Sequence, residues 1–300
     1  MTIPWDPIIQ DRLTRLHLLS REIVWGMNSG QHRSNRVTRS VEFVEHKVYQ
    51  PGDPISSLDW KVFARTDKLM IRRQSADTDA NIVLVLDASG DMKSTSSGTI
   101  DEWTESKFGK SLTAMAGLTQ MAAKRGDPVG IWICGGSDTP VGLSGYIPPS
   151  QRSLHPIFHR LASVNPEGNA NLGDNLRQLG MRLPRKSIVI VVSDWMEDPQ
   201  VWGAQLEILA SMGHDIRCIQ LYSEREWALD LPDSVQVFSH EMSTENPLDT
   251  IAMQSKWSTV LEEYKQQVSH WAARSNSIWI PAALEQELLP PLIQLIKGRG

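Results

Sequence analysis

The stretch Ile82-Val83-Leu84-Val85-Leu86-Asp87 decides the fold that we expect for this chain. Its five consecutive apolar residues are typical of a strand that is covered on both faces, since a strand with one wet face would alternate apolar and polar residues. Strands buried in this way occur mainly in parallel sheets that carry helices on both sides. The run therefore predicts a central strand of a parallel sheet, ending at Asp87.

The chain after this strand alternates between strand-like and helix-like patterns. A second apolar run, Ile188-Val189-Ile190-Val191-Val192, also leads to an acidic residue, Asp194. Apolar residues at helical spacing predict helices near residues 108–122, 200–212 and 253–271, with further strand-like runs between them. Such alternation predicts an α/β fold with a doubly wound, mostly parallel sheet and helices on both faces.

The sequence before residue 81 has a different pattern. Apolar residues recur at helical spacing from Ile9 to Met27, and short strands are expected within 41–49 and 69–73, around a turn at 51–54. We therefore expect two parts. Residues 1–80 form a small N-terminal α+β extension, and residues 81–300 form the main domain.

Composition argues against two broad classes of function. The 300 residues include 30 Lys and Arg against 35 Asp and Glu, and the net charge of −5 does not supply the positive field that non-specific nucleic-acid binding needs. No run of 18 apolar residues occurs, and the first residues do not resemble a signal peptide. The two cysteines, Cys134 and Cys218, lie in strand-like runs and are expected to be reduced core thiols. We expect a cytoplasmic protein without a membrane span.

Acidic and hydroxyl side chains follow two of the predicted strands. Asp87, Ser89 and Asp91 follow the first strand, and Asp194 follows the second. Ligands of open α/β sheets bind beyond the carboxyl ends of strands, so these oxygens share one crevice if the two strands are neighbours. Crowded carboxylates repel one another, and a hard cation such as Mg²⁺, Mn²⁺ or Ca²⁺ would relieve the repulsion. The alternative is that the side chains cap helices or face water.

The order of these residues resembles a known metal site. The segments Asp87-x-Ser89-x-Asp91, Gly168-Asn169-Ala170-Asn171 and Ser193-Asp194 are similar to the three loops of the metal-ion-dependent adhesion site of von Willebrand factor type A domains. The resemblance implies that a metal ion is bound by Asp87, Ser89, Asp91 and Asp194. Two positions depart from the pattern, because Asp91 stands where the family has a Ser and Ala170 where it has a Thr. The site is therefore expected to be degenerate.

Three further residues of these loops are expected to contact a partner protein. Asn169 and Asn171 belong to the second loop, and Trp195 lies next to Asp194 in the third. In the resembling domains, a carboxylate of the partner completes the coordination of the cation. A non-enzymatic protein-binding function follows from the resemblance.

The upstream segment contains a second set of residues with a characteristic order: Gly52, Asp53, Asp59, Trp60 and Arg65. This order resembles the signature of a narrower family, the bacterial proteins known as domain of unknown function fifty-eight. Proteins of this family combine the segment with a type A domain. The resemblance implies a partner or adaptor of a MoxR-type AAA+ ATPase, acting in the assembly or maturation of other proteins.

Two other functions are compatible with parts of the sequence. One is a Mg²⁺-dependent phosphohydrolase with Asp87 as nucleophile, although such enzymes need a second acid two residues later and position 89 is Ser. The other is a nucleic-acid binder with a basic face made of Arg33, Arg36, Arg39, Arg65, Arg72 and Arg73. No aromatic residues interleave the 31–40 stretch, so a solvated loop is the simpler interpretation of these arginines.

Overall fold

The computed structural model describes residues 7–34, 45–48, 69–73, 81–96, 103–136, 145–228, 236–237, 246–247 and 250–297. Its helices are α1 (Pro7–Ser34), α2 (Lys107–Arg125), α3 (Leu154–Ser163), α4 (Leu172–Gly180), α5 (Pro199–Ser211), α6 (Glu224–Ala228), α7 (Thr250–Arg274) and α8 (Leu289–Lys297). Its strands are β1 (Glu45–Val48), β2 (Met70–Arg73), β3 (Ile82–Ala88), β4 (Val129–Gly135), β5 (Tyr146–Ser150), β6 (Ile188–Ser193), β7 (Asp215–Tyr222), β8 (Gln236–Val237), β9 (Asn246–Pro247) and β10 (Ile278–Ala283).

Six of these strands form the central sheet, in the order β10-β7-β6-β3-β4-β5. All neighbouring pairs are parallel except β4 and β5, which are antiparallel at one edge. The two apolar runs of the sequence are the adjacent central strands β3 and β6. The predicted α/β fold with a mostly parallel sheet is confirmed.

Apolar side chains cover both faces of the sheet. On one face, Val83 and Val85 of β3 belong to a core cluster that also contains Leu176 of α4, Leu206 of α5 and Val268 of α7. Leu84 and Leu86, which alternate with the two valines and so point to the opposite face, are fully buried as well. Full burial of a side chain of this size stabilises the fold by roughly 1.5–3 kcal/mol. The absence of polar residues from Ile82 to Leu86 is the expected result.

Helix α2 begins and ends at residues with clear capping roles. Ser106 precedes it, and its side-chain hydroxyl accepts a hydrogen bond from the amide of Gly109 at 3.0 Å. Gly126 follows it in the left-handed conformation, with φ of 81°, which glycine adopts without a steric penalty. These two caps fix where Lys107, the first residue of α2, lies.

The N-terminal helix differs from the predicted division at residue 80. The chain up to Gly26 belongs to the same compact unit as the chain from Asn81 onward, while residues 27–80 form a second unit. The physical reason is direct packing: Arg12 of α1 donates hydrogen bonds to the carbonyls of Ala162 at 3.1 Å and Val164 at 2.8 Å. Leu16 is fully buried. The first part of α1 is thus grouped with the main domain, and the rest of the predicted extension forms the second unit.

The second unit contains the predicted short strands. β1 and β2 pair antiparallel, with Glu45 opposite Arg73 and Val48 opposite Met70. The residues of the family signature, at positions 52, 53, 59, 60 and 65, lie outside the described residues.

Two expectations from composition concern the cysteines and a membrane span. Cys134 in β4 and Cys218 in β7 are buried and free, and β3 and β6 lie between their strands. Across the part of the chain that the structure describes, no helix has the length and apolar character needed to cross a membrane.

Candidate functional site

The carboxyl ends of β3 and β6 bring Asp87 and Asp194 to one edge of the sheet. The two strands are parallel neighbours, with Leu86 opposite Val192. Asp87 follows Leu86 directly, and Asp194 comes two residues after Val192. The expectation that the two acids meet at one edge is confirmed.

Asp87 is held by hydrogen bonds from two serines. Its Oδ2 accepts the hydroxyl of Ser193 at 2.5 Å, and its Oδ1 accepts the amide of Ser89 at 2.8 Å. The Ser193 hydroxyl oxygen in turn accepts the amide of Trp195 at 2.9 Å. The Asp87 side chain therefore links the end of β3 to the end of β6 through the Ser193 hydroxyl. Asp87 is only 3% exposed.

The electrostatic environment of Asp87 favours its protonated form. Burial and the negative charge of Asp194 raise the pKa of Asp87 to about 7, although the hydrogen bonds from Ser193 and Ser89 oppose the change. A buried carboxylate loses hydration, and a second carboxylate nearby adds repulsion. The pair thus carries less negative charge at neutral pH than two independent carboxylates would.

Asp194 is paired with a buried lysine. The ammonium nitrogen of Lys107 lies 3.3 Å from Asp194 Oδ2 and 2.8 Å from Glu226 Oε2 of α6. The side chains of Lys107 and Asp194 are 3% and 5% exposed, whereas that of Glu226 is about one-third exposed. The other Asp194 oxygen accepts the amide of Met196 at 3.2 Å. We call Asp87, Asp194, Lys107 and Glu226 the ionic cluster.

The pKa of Lys107 reflects the competition between burial and its acidic partners. Burial alone would lower the pKa of this ammonium, but the charges of Asp194 and Glu226 outweigh that effect and the pKa is raised. Lys107 therefore remains protonated over the physiological range. A buried ammonium in a folded protein requires such compensation.

Ser89 and Asp91, the remaining predicted metal ligands, lie in the loop that leaves β3. Ser89 is buried, and its amide binds Asp87. Asp91 lies in the 3₁₀ turn Gly90–Lys93, where it is half-buried and its carbonyl accepts the amide of Ser94 at 3.1 Å. Among the described residues, no group of three or more His, Cys, Asp or Glu side chains is arranged to hold a metal ion.

The second predicted loop is fastened to the end of β3 by backbone hydrogen bonds. The amide of Glu167 donates to the carbonyl of Ala88 at 2.9 Å, and the amide of Gly90 donates to the carbonyl of Gly168 at 2.8 Å. Asn169 and Asn171 of this loop are exposed, as a partner-contacting role requires, whereas Ala170 between them is buried. Two of the three predicted partner-binding side chains are thus accessible.

Trp195, the third of these residues, does not face solvent. Its ring is fully buried, and its indole N–H donates to the carbonyl of Ile219 at 2.9 Å. The ring packs against Trp202 and Trp279, with centroid distances of 5.0 and 4.4 Å. The prediction of a partner-facing Trp195 is wrong, because its backbone φ of 61° accompanies a turn after which the ring lies in the apolar core.

Exposed apolar side chains follow Trp195, one in the loop and one in the first turn of α5. Met196 and Val201 are each 51% exposed, and Val201 lies over Gly173, where an added Cβ would collide with it. The Glu197 carboxylate accepts the amide of Leu172 at 2.6 Å, which joins this loop to the start of α4. We call Asn169, Asn171, Met196 and Val201 the rim.

Sequence reasoning missed Lys107, Glu226 and Met196. A lysine in the first turn of a helix is ordinarily a surface residue, and no pattern in the sequence marks this one as buried. Glu226 reaches the cluster because β7, which precedes it, is the neighbour of β6. The one available signal was the strand order, which would place the loop after β7 beside Asp194.

The fold and the site define an α/β domain with a buried ionic cluster at the carboxyl edge of its sheet. The sequence matches the family described as "Protein of unknown function DUF58" over residues 45–270. That match spans most of the chain, and the protein belongs to this family, as the upstream signature predicted.

The chain is also similar to individual proteins and to solved structures. Uncharacterized proteins from Mycobacterium tuberculosis (strain ATCC 25618 / H37Rv) and Mycobacterium bovis are 25% identical over 236 residues, covering 76% of this chain and 69% of each relative. The chain is also similar to BatB from Bacteroides thetaiotaomicron, with 10% identity, 73% of this chain and 97% of that chain covered, and a TM-score of 0.46. The VWA domain of SpRpn10 matches with 14% identity, 71% and 93% coverage, and a TM-score of 0.40.

Proposed function

We propose that this chain is a non-enzymatic protein-interaction module that binds its partner through the rim. The observation that carries the proposal is the exposure of Met196 and Val201, together with that of Asn169 and Asn171, in segments linked by the contacts of Glu197 with Leu172 and of Val201 with Gly173. Apolar side chains that remain half exposed among polar ones are common where proteins bind proteins. Backbone hydrogen bonds fasten the loop of Asn169 and Asn171 to the end of β3, and the Glu197 carboxylate joins the loop of Met196 to the start of α4, so the surface is held in place before binding.

The proposed partner is a MoxR-type AAA+ ATPase, with the pair acting in the cytoplasm on the assembly or maturation of other proteins. The ground for this finer proposal is the resemblance of the signature around Gly52, Asp59 and Arg65 to the family. The predicted basic face of arginines stays a prediction, since no side chain of that set is described.

Catalysis is not part of the proposed function. Asp87, the candidate nucleophile, is 3% exposed, and both of its carboxylate oxygens accept hydrogen bonds. A buried carboxylate whose oxygens already accept hydrogen bonds is a poor nucleophile, which supports a non-enzymatic function. The two cysteines are buried as well, and burial raises the pKa of each thiol, which disfavours the nucleophilic thiolate.

The test compares two exposed methionines that lie at opposite ends of the strands, one before helix α5 and one after it. Met196 at the carboxyl edge is 51% exposed, and Met212, at the other end of α5, is 52% exposed. Each is replaced by Arg, and binding to a purified MoxR-type ATPase from the same organism is measured by interferometry. We expect Met196→Arg to weaken binding at least tenfold and Met212→Arg to leave it within about twofold, since a charge desolvated in an interface is costly.

Thermal unfolding of both variants provides the folding control. Since both side chains are half exposed, their melting temperatures should match that of the wild type closely. Equal binding by both variants, or loss in both, would contradict the rim as the docking surface. A wild-type protein that does not bind the ATPase would contradict the choice of partner.

A further inference from the structure

The ionic cluster contains its own cation. Lys107 Nζ lies between Asp194 and Glu226, at 3.3 and 2.8 Å from their carboxylate oxygens, at the edge where the sequence resembles a metal-ion site. We propose that the Lys107 ammonium takes the place of a divalent metal ion in this domain, so that the segments after β6 and β7 are held together without one. Lys107 holds this position whether or not an ATPase is the partner.

The distances fit an ammonium and not a metal ion. Nitrogen to oxygen separations of 2.8 and 3.3 Å lie in or near the range of charge-assisted hydrogen bonds. Magnesium binds oxygens at about 2.0–2.1 Å and calcium at about 2.3–2.6 Å. A metal ion between Asp194 and Glu226 would have to displace the ammonium.

The carboxylate oxygens are also committed to other donors. Asp87 accepts from Ser89 and Ser193, and Asp194 accepts from Met196 and Lys107. The Ser193 hydroxyl donates a hydrogen bond to Asp87. In addition, Ala170 stands where the resembling domains have a Thr, so the second loop supplies no hydroxyl ligand. The residues present do not fit a divalent cation.

Lys107 is fixed at this position by the backbone that leads into α2. Its amide donates to the carbonyl of Ser94 at 3.0 Å, and Ser106 caps the helix that begins with it. Burial and the positive end of a helix both disfavour a cation at this place. A lysine there must be compensated by acidic partners, and the carboxylates of Asp194 and Glu226 lie at 3.3 and 2.8 Å from its ammonium.

The cluster also has a definite charge balance. One ammonium lies between the carboxylates of Asp194 and Glu226, while Asp87 is held by hydrogen bonds from Ser89 and Ser193. The ammonium therefore limits the repulsion between the Asp194 and Glu226 carboxylates, which a metal ion would otherwise have to do. Removal of the ammonium would leave them without compensation and would create the demand for a metal ion that the wild type lacks.

The experiment measures metal binding by the wild type and by Lys107→Met. Manganese binding is followed by electron paramagnetic resonance, and melting temperatures are recorded in EDTA and in millimolar Mg²⁺, Mn²⁺ or Ca²⁺ at matched ionic strength. We expect the wild type to bind no Mn²⁺ below millimolar concentration and to melt at the same temperature in all conditions. Lys107→Met should melt lower in EDTA and recover part of the loss with a divalent ion.

Two further variants separate the role of this lysine from general effects of charge. Lys110→Met removes a lysine of the same helix that pairs with the exposed Glu105, and it should acquire no metal response. Lys107→Met combined with Asp194→Asn removes both charges of the buried pair, and it should lose the metal response of the single variant.

Saturable binding of Mn²⁺ by the wild type with a raised melting temperature would overturn the proposal. A folded Lys107→Met that gains no metal binding would also overturn it, because the ammonium would then not occupy a cation's place. If Lys107→Met does not fold, the wild-type titration and the charge-neutral double variant still decide the question.

Discussion

The carboxyl ends and the amino ends of the sheet's parallel strands bury polar groups in opposite ways. At the carboxyl edge, Asp194 and Lys107 are both buried as an ion pair. At the amino edge of the same strands, His214 is buried as well, but burial lowers its pKa and its Nδ1 accepts the amide of Ser187 at 3.2 Å as a neutral ring. A charge is kept inside only where a distant part of the chain supplies the opposite charge. Elsewhere the neutral form is favoured.

The largest effect is expected from removing one member of the buried ion pair. Asp194→Ala should lower the free energy of unfolding by about 3–5 kcal/mol, because it leaves the Lys107 ammonium partly uncompensated in the interior. Chemical denaturation by urea measures the change. For the same reason, a variant at Asp194 cannot separate binding from folding, whereas the rim variants can.

A matched exposed pair provides the control for this prediction. Arg177 and Asp174 lie 3.4 Å apart, close to the separation in the buried pair, but their side chains are 57% and 70% exposed. Asp174→Ala should cost less than about 1 kcal/mol, since solvent screens exposed pairs. Similar losses in both variants would contradict the distinction between buried and exposed pairs on which the comparison of the two edges depends.

A smaller effect is expected at the rim, from the backbone of Asn171. This residue has φ of 45° and ψ of 52°, a left-handed conformation that alanine adopts with strain. Asn171→Ala should cost about 1 kcal/mol, and Asn171→Gly should be close to neutral. Asn169→Ala, at a neighbouring exposed position without a positive φ, should change stability little. Equal melting temperatures for Ala and Gly at position 171 would exclude strain as the cause.

The smallest effect is expected at the amino edge, as a dependence on pH. The folded state keeps His214 neutral to a lower pH than the unfolded chain, whose histidines titrate near pH 6.5. Unfolding therefore takes up a proton below about pH 6.5, and the stability that His214 contributes is present above that pH and is lost as the pH falls. Urea denaturation between pH 5 and 8 measures the slope.

His214→Gln provides the control, since it keeps an acceptor but cannot titrate. Its stability should fall less steeply with decreasing pH than that of the wild type. The pKa of His17 is lowered too, so only the difference between the two proteins reports on His214. Identical slopes would show that His214 does not contribute.

The sequence was a good guide where burial leaves a continuous apolar pattern. Runs such as Ile82–Leu86 have no polar position and specify strands covered on both sides, and the acids that follow them had to meet at one edge once the strands were neighbours. Fold and strand-end acids could therefore be predicted from local pattern and topology.

Side-chain burial at the same edge could not be predicted in this way. Whether Lys107 is inside depends on Glu226, which is far away in sequence and arrives through the pairing of β7 with β6. The orientation of Trp195 depends on a left-handed backbone residue, which no local propensity of tryptophan indicates. Both features result from tertiary packing.

The hydroxyl of Tyr264 has a mechanical consequence. It donates a hydrogen bond to the carbonyl of Trp195 at 3.0 Å and accepts one from the side-chain amide of Gln220 at 2.7 Å. The indole N–H of Trp279 donates a hydrogen bond to the side-chain oxygen of the same glutamine at 3.1 Å. Helix α7 is thereby connected by hydrogen bonds to the loop that contains Asp194. Any force that slides α7 along the sheet must either break these bonds or drag that loop with it.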